Sequence, residues 1–334
     1  MNAYVRSAYF VHSLRQEVCM LSARNVLRAP LAVGYWLGVR QGRALEDGDD
    51  LIFLCHGTAH QFAAPLERQL RYLQRMFAIV PLGAFAAAIG TMRTPRHRRR
   101  AAIAFDDGLR SNVLVAYPIL RALGIPATFF VCPGLIEERR WLWTHEARRR
   151  LQFAGRHLRQ ELGGELNAPA EIEAFVQRLK EMDFAQRTRA EAKLRHATAA
   201  FVPSELDREA FDLAAWEELR ALDPRIVTVG SHTMTHPVLP SMSASEIEAE
   251  LRDSRRMIEA RLGRPAEFFS YPNGDADECT LAGVRRYYRA AVNCKSRTRK
   301  DPHLMPSVNL PPGVLALAWR MNRPASGAAL SGAH

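Results

Sequence analysis

Seven short apolar runs, with amphipathic stretches between several of them, restrict most strongly what this chain can fold into. They are LIFLC (51–55), AAIAF (101–105), ATFFVC (127–132), RIVTVG (225–230), EFFSY (267–271), AAVNC (290–294) and PSVNL (306–310). Runs of this length, rich in β-branched, aromatic or small residues and bounded by turn formers or charges, read as buried strands. The stretch PLERQLRYLQRMF (65–77) sets Leu66, Leu70, Leu73 and Phe77 on one helical stripe. The stretch SASEIEAELRDSRRMIEARLG (243–263) opens on a capping box, Ser243 and Glu246, and closes on Gly263. Strands alternating with helices make a mainly parallel sheet. This many strands predicts an α/β fold, a closed or nearly closed barrel.

One segment breaks that rhythm. From about 137 to 222 the chain is rich in Arg, Glu and Ala and carries no strand signal, which predicts a helical insertion on a barrel loop. The expected organisation is an N-terminal helical or irregular extension (1–49), the barrel (50–312) interrupted by the insertion, and a C-terminal tail (313–334).

Composition narrows the class and the partners. Of 334 residues, 48% are hydrophobic and 24% charged, as in an ordinary globular protein rather than a disordered or fibrous chain. The balance of 46 Lys+Arg against 35 Asp+Glu gives a formal +11, which favours anionic partners such as nucleotides or phospholipid headgroups. Zinc-finger spacing, RNP-like motifs and a clear helix-turn-helix are absent, which argues against nucleic acid. Five scattered cysteines without a C-x-x-C pair (Cys19, Cys55, Cys132, Cys279, Cys294) argue for a reducing compartment. No segment has the order of a signal peptide, so the expected location is cytoplasmic, with peripheral contact at the inner membrane face. APLAVGYWLGV (29–39), between Arg28 and Arg40, is too short to span a bilayer; it either packs or lies against a membrane surface. The run RTPRHRRR (93–100) is a solvated loop or an anion-binding one.

In α/β barrels the loops at the C-terminal strand ends build the site. Here those ends read Cys55-His56-Gly57, Asp106-Asp107-Gly108, Ser231-His232 and Tyr271-Pro272-Asn273-Gly274. Taken alone, Asp106-Asp107-Gly108 is equally a polar turn capping the next helix. GSHTMTHP (230–237) sharpens the choice. His232 and His236 lie four apart, a spacing that lets two imidazoles meet one metal, and Pro237 disfavours a helical conformation for His236. Two histidines and one carboxylate leave a tetrahedral zinc with an open position, as in catalytic sites. One aspartate then completes the metal site, while its unligated neighbour takes a proton from water.

FDDG (105–108), SHTMTH (231–236) and FFSYPNG (268–274), in this order, resemble the polysaccharide deacetylase family. That is carbohydrate esterase family four, with its NodB-homology domain, and here the subgroup with YP-x-G in the third motif. The likeness runs from about 50 to 310 and implies a distorted, incomplete (β/α) barrel and metal-dependent removal of an N- or O-acyl group, usually acetyl, from a sugar. By position it implies Asp107, His232 and His236 as ligands of a divalent metal, zinc first, and Asp106 as the base. Tyr271, Pro272 and Asn273 fall at the substrate and oxyanion positions. Two departures stand out. Many members carry an arginine that braces the base, where this chain has Ser270-Tyr271, and the C-terminal Leu-x-His is replaced by a displaced His303. A permuted arrangement places the acid histidine on the first strand, which points to His56; otherwise His56 is a hydrogen-bonded loop histidine. The expected function is N-deacetylation of a sugar in a polysaccharide, glycolipid or nucleotide-linked precursor, with a phosphate-bearing lipid or nucleotide as carrier. The alternatives are a deformylase or amidase on another amide, and a catalytically silent glycan-binding barrel.

Overall fold

The computed structural model describes residues 50–89, 98–154, 169–298, 300–311 and 313–321. All seven apolar runs are strands: β1 (Leu51–Cys55), β3 (Arg100–Phe105), β4 (Ala127–Val131), β5 (Val227–Ser231), β6 (Phe268–Ser270), β7 (Ala290–Asn293) and β8 (Met305–Asn309). All pairings in the sheet are parallel, and β1 pairs with both β3 and β8, so the seven close into a ring. The ring is pinched between β5 and β6, which share only the pair Ser231–Phe269. An eighth strand, β2 (Ala78–Ile79), pairs with the start of β3 and stands outside the ring.

Most strand positions are apolar because both faces of most strands are buried. Along β3, Ala101, Ile103 and Phe105 face one cluster with Phe53, Phe129 and the helices. Ala102 and Ala104 face a second cluster with Ile52, Leu54, Phe130, Phe268 and Val292. Small residues on β3 make room there for large ones on β4 and β6. Gly230 serves the same purpose, since a Cβ there would lie 2.7 Å from the Phe130 ring and 2.8 Å from the Phe268 carbonyl oxygen.

Helix α1 (Ala63–Met76) buries Leu66, Leu70 and Leu73 as its periodicity predicts. Helix α2 (Leu82–Ala87) contributes Leu82, Phe85 and Ala86 to the second cluster. Helices α3 (Tyr117–Leu123) and α4 (Pro133–Glu137) flank β4 in sequence. The insertion holds α5 (Trp143–Phe153), α6 (Pro169–Glu181), α7 (Phe184–Ala197) and α8 (Glu205–Phe211), followed by α9 (Trp216–Arg220). Helix α10 (Ala244–Leu262) has the Ser243/Glu246 capping box and ends on Gly263 at φ 66°; α11 (Glu278–Tyr287) and α12 (Val314–Met321) complete the chain.

Two expected boundaries shift. Ala214, Trp216, Leu219 and Leu222 belong to the main core, so the barrel resumes near 214 rather than after 222. Leu317 and Ala318 of α12 are also buried in that core, so 313–321 are part of the barrel and not a tail. The membrane-surface segment 29–39 and the rest of the N-terminal extension, the first part of the basic run (93–97), and residues 322–334 lie outside the described residues. In the remainder of the basic run, Arg98 donates to the Gln74 and Arg75 carbonyls, Arg99 stacks over Phe77 and Arg100 pairs with Asp50. Arg98 and Arg99 thus hold the approach to β3 against the end of α1, and Arg100 ties the start of β3 to the residue before β1. The described cysteines Cys55, Cys132, Cys279 and Cys294 are free. Among the described residues no helix is long and apolar enough to cross a membrane.

The insertion has its own small core around Trp143, Leu151, Val176 and Leu194. Glu146 on α5 ties it together, accepting from Arg150 at 2.8 Å and from Arg195 on α7 at 2.9–3.1 Å. Burial opposes its charge, but the two guanidiniums hold the Glu146 carboxyl below its ordinary value. Its stabilisation is therefore present above the ordinary carboxylate range and fades as pH falls through the depressed value. Glu146→Gln should cost roughly 1.5–3 kcal/mol at neutral pH, a loss measurable by urea unfolding of both proteins; equal stabilities would refute it.

Candidate active site

The C-terminal ends of β1, β3, β5 and β6 converge on one cleft of roughly 210 Å³. Asp106 and Asp107 follow β3, and adjacent residues diverge there because Asp107 turns left-handed, with φ 73°. Thr233, His236 and Asn273 are also left-handed, at 68°, 58° and 56°. For residues with a Cβ this conformation is uncommon and strained, and such strain clusters at functional sites.

Asp107, His232 and His236 are buried, and one ligand atom from each lies within 4.8 Å of the others. The Nε2 atoms of His232 and His236 each stand 3.7 Å from Asp107 Oδ1. Donors of one tetrahedral zinc lie about 3.4 Å apart, so the set could hold a divalent cation with little movement. The donor chemistry agrees. His232 Nδ1 lies 2.8 Å from the Ser270 carbonyl oxygen; donating there leaves Nε2 as the lone-pair atom facing Asp107. Burial, then His232, lower the His236 pKa to about 3, so this imidazole is neutral at physiological pH.

The two aspartates are driven apart. Burial raises the Asp106 carboxyl above its ordinary value, against the pull of His232 and His56. Burial also works to raise Asp107, but His56, His236 and His232 together outweigh it and hold this carboxyl low. Asp106 Oδ2 accepts from Ser270 Oγ at 3.0 Å, while its buried Oδ1 has no protein partner. Ser270 thus braces Asp106 where many relatives are expected to use an arginine.

The other predicted residues divide. His56 is exposed and lines the same cleft as Asp106, Asp107, His232 and His236. His303 does not: its Nε2 lies 3.0 Å from the Tyr288 carbonyl oxygen. In the third motif, the Tyr271 N–H is spent on the Val292 carbonyl and its hydroxyl on the His303 carbonyl. Pro272 has no N–H. Neither residue therefore offers a backbone N–H to the cleft. Asn273 lines the cleft, and its buried Nδ2 has no partner.

Several site residues escape sequence reasoning. Glu250, on the buried face of α10, accepts from the Met234 and Thr235 N–H groups at 2.6 and 3.1 Å and from Thr235 Oγ1 at 2.7 Å. It anchors the loop between the two histidines. A carboxylate among Ile247, Leu251 and Ser254 on an apolar helix face is the signal that marks it. Trp143 Nε1 donates to the His236 carbonyl at 2.9 Å, so the insertion braces the same loop. The insertion also lines the cleft through Leu142, Thr144, His145, Arg148 and Lys180. His145, in T-shaped contact with Phe211, has a buried unpartnered Nδ1 and a pKa lowered by burial to about 4.

A polysaccharide deacetylase family profile matches residues 93–291. The structure resembles that of a Streptococcus pyogenes deacetylase, PplD, in complex with acetate, at TM-score 0.54 and 14% identity over 83% of this chain and 99% of that one. It also resembles IcaB from Ammonifex degensii, at TM-score 0.53 and 17% identity over 81% of this chain and 98% of that one. No curated protein matches significantly by sequence. At such identities the structural likeness speaks for the fold, a parallel barrel ringed by helices, and the profile, covering more than half of the chain, speaks for the family. The chain belongs to the polysaccharide deacetylase family and is a hydrolase of the carbohydrate N-deacetylase type.

Proposed function

We propose that the protein removes an N-acetyl group from a sugar in a divalent-metal-dependent reaction, with Asp107, His232 and His236 as the metal ligands. The observation that carries this is the buried Asp107–His232–His236 set beside a second carboxylate, Asp106, of opposite pKa drift. A bound zinc ion would supply a Lewis acid that polarises the acyl oxygen and makes water more acidic. Asp106, with its vacant Oδ1 and with Oδ2 held by Ser270, takes a proton from the attacking water. Asn273 Nδ2 is the protein donor available to the acyl oxygen as charge develops on it; Tyr271 and Pro272 shape the substrate wall. His56 gives a proton to the leaving nitrogen.

The sugar is carried on a phosphate-bearing lipid or nucleotide, a reading supported by the formal +11. The proposed location is cytoplasmic, at the inner membrane face when the carrier is a lipid. Incubating zinc-loaded protein with sugar-nucleotide and lipid-linked N-acetyl sugars and following acetyl mass loss tests the reading. No loss from any of these, nor from chito-oligosaccharides, would overturn it.

The acid role has its own test. His56→Ala should bind metal as wild type does and lose about a hundredfold in turnover of an amide. A phenyl ester, whose leaving group needs little protonation, should lose far less. Equal damage to both substrates, or none, would remove His56 from the role.

A further inference from the structure

Two cations of the insertion reach the cleft, and one of them has no counter-charge. Lys180, near the end of α6, lines the cleft half-buried, and among the described residues no carboxylate pairs with it. Arg148 on α5 lines the same cleft, its guanidinium fixed by two hydrogen bonds to Glu173, at 2.7 and 2.9 Å. Lys295, which follows β7, is bound to Asp275. Burial first, then Arg148, and also Lys295, depress the Lys180 pKa, with Asp275 and Glu173 only partly opposing them. Glu173 is taken by Arg148 and Asp275 by Lys295, so on this side of the cleft the Lys180 ammonium is the charge left without a partner. Crowding like charges there is unfavourable, and an arriving anion relieves it.

We propose that Lys180, with Arg148 beside it, forms a subsite for a phosphate group attached to the substrate sugar. The pair suits this ligand: a compact ammonium offers point charge, and the guanidinium, held by Glu173 and by the Thr144 carbonyl at 3.3 Å, has N–H groups left to direct at an anion. The subsite rests on the deacetylase reading and deepens it by naming the residues that select a phosphate-bearing sugar over a neutral one. It also gives the insertion a chemical purpose, since both residues stand on its helices while the reacting groups stand in the loops that follow the barrel strands.

The test uses the zinc-loaded full chain and three substrates: UDP-N-acetylglucosamine, a short-chain N-acetylglucosaminyl diphospholipid, and neutral chitotetraose. Wild type should favour at least one phosphate-bearing substrate in kcat/KM, and the preferred one identifies the source of the phosphate. Lys180→Gln should lower the ratio of charged to neutral kcat/KM by about ten- to a hundredfold. Lys180→Glu should lower it further, and Lys180→Arg should restore most of it. A wild type without preference, or a ratio unchanged in Lys180→Gln, would overturn the subsite. If wild type deacetylates none of the three, the deacetylase reading falls by itself, and calorimetric titration with inorganic phosphate then decides on the subsite. A contribution from metal is common to both proteins, so Lys180→Gln should bind phosphate about tenfold more weakly; equal affinities would refute it.

Discussion

Asp106→Asn should retain one metal ion per chain and lose on the order of a hundred- to ten-thousand-fold in turnover. The amide keeps the shape of the carboxylate and can still accept from Ser270 Oγ, but it cannot take a proton from water. Asp107→Asn should behave differently. Its Oδ1 sits 3.7 Å from both His232 Nε2 and His236 Nε2, so losing its charge should loosen the ion itself. Metal content by elemental analysis, measured with kcat on the same samples, separates the two. If both variants lose metal and rate alike, the division of labour between the aspartates is wrong.

The double variant His232→Ala, His236→Ala should hold no stoichiometric metal and show no turnover above the uncatalysed rate. Two of three donors are gone, and a single carboxylate does not retain zinc at micromolar levels. A second readout is thermal: zinc at a hundred times its dissociation constant should stabilise wild type by about 2.7 kcal/mol, and this gain should vanish in the variant. Full metal retention or an undiminished thermal gain would sink the ligand assignment.

All seven ring strands are legible because a strand buried on both faces has no alternation to confuse and reads as a plain apolar run. The outer strand β2 is not, since Ala78-Ile79 gives too short a pattern to register. The insertion is visible as a gap in strand signal, but its end is not. Helix α9 shows the same Arg and Glu as its predecessors, and only Trp216 and Leu219 reach the core. At the site, the residues on strand ends stand out as polar groups closing apolar runs. His145, Arg148 and Lys180 do not, because on an amphipathic helix such residues look like any solvated face until a second surface approaches. The state of the Tyr271 N–H is hidden for a different reason: β7 takes it through the Val292 carbonyl, and no local pattern records that.

The ring closes where β1 meets β8, with Ile52 beside Ser307 and Leu54 beside Asn309. During synthesis, then, the first strand waits for nearly all of the chain between them before its second edge is covered. Asp107 and both histidines lie on the β3–β4–β5 arc, whose members are neighbours in the sheet, so that arc can assemble on the nascent chain well before closure. His56 is set last in its final surroundings, when β8 docks. An unclosed barrel would present the free edge of β1 to other chains, the hazard that slow long-range pairing brings. The seam is thus the place where vectorial folding and aggregation compete, and the early arc is where a cation could first act as a folding nucleus.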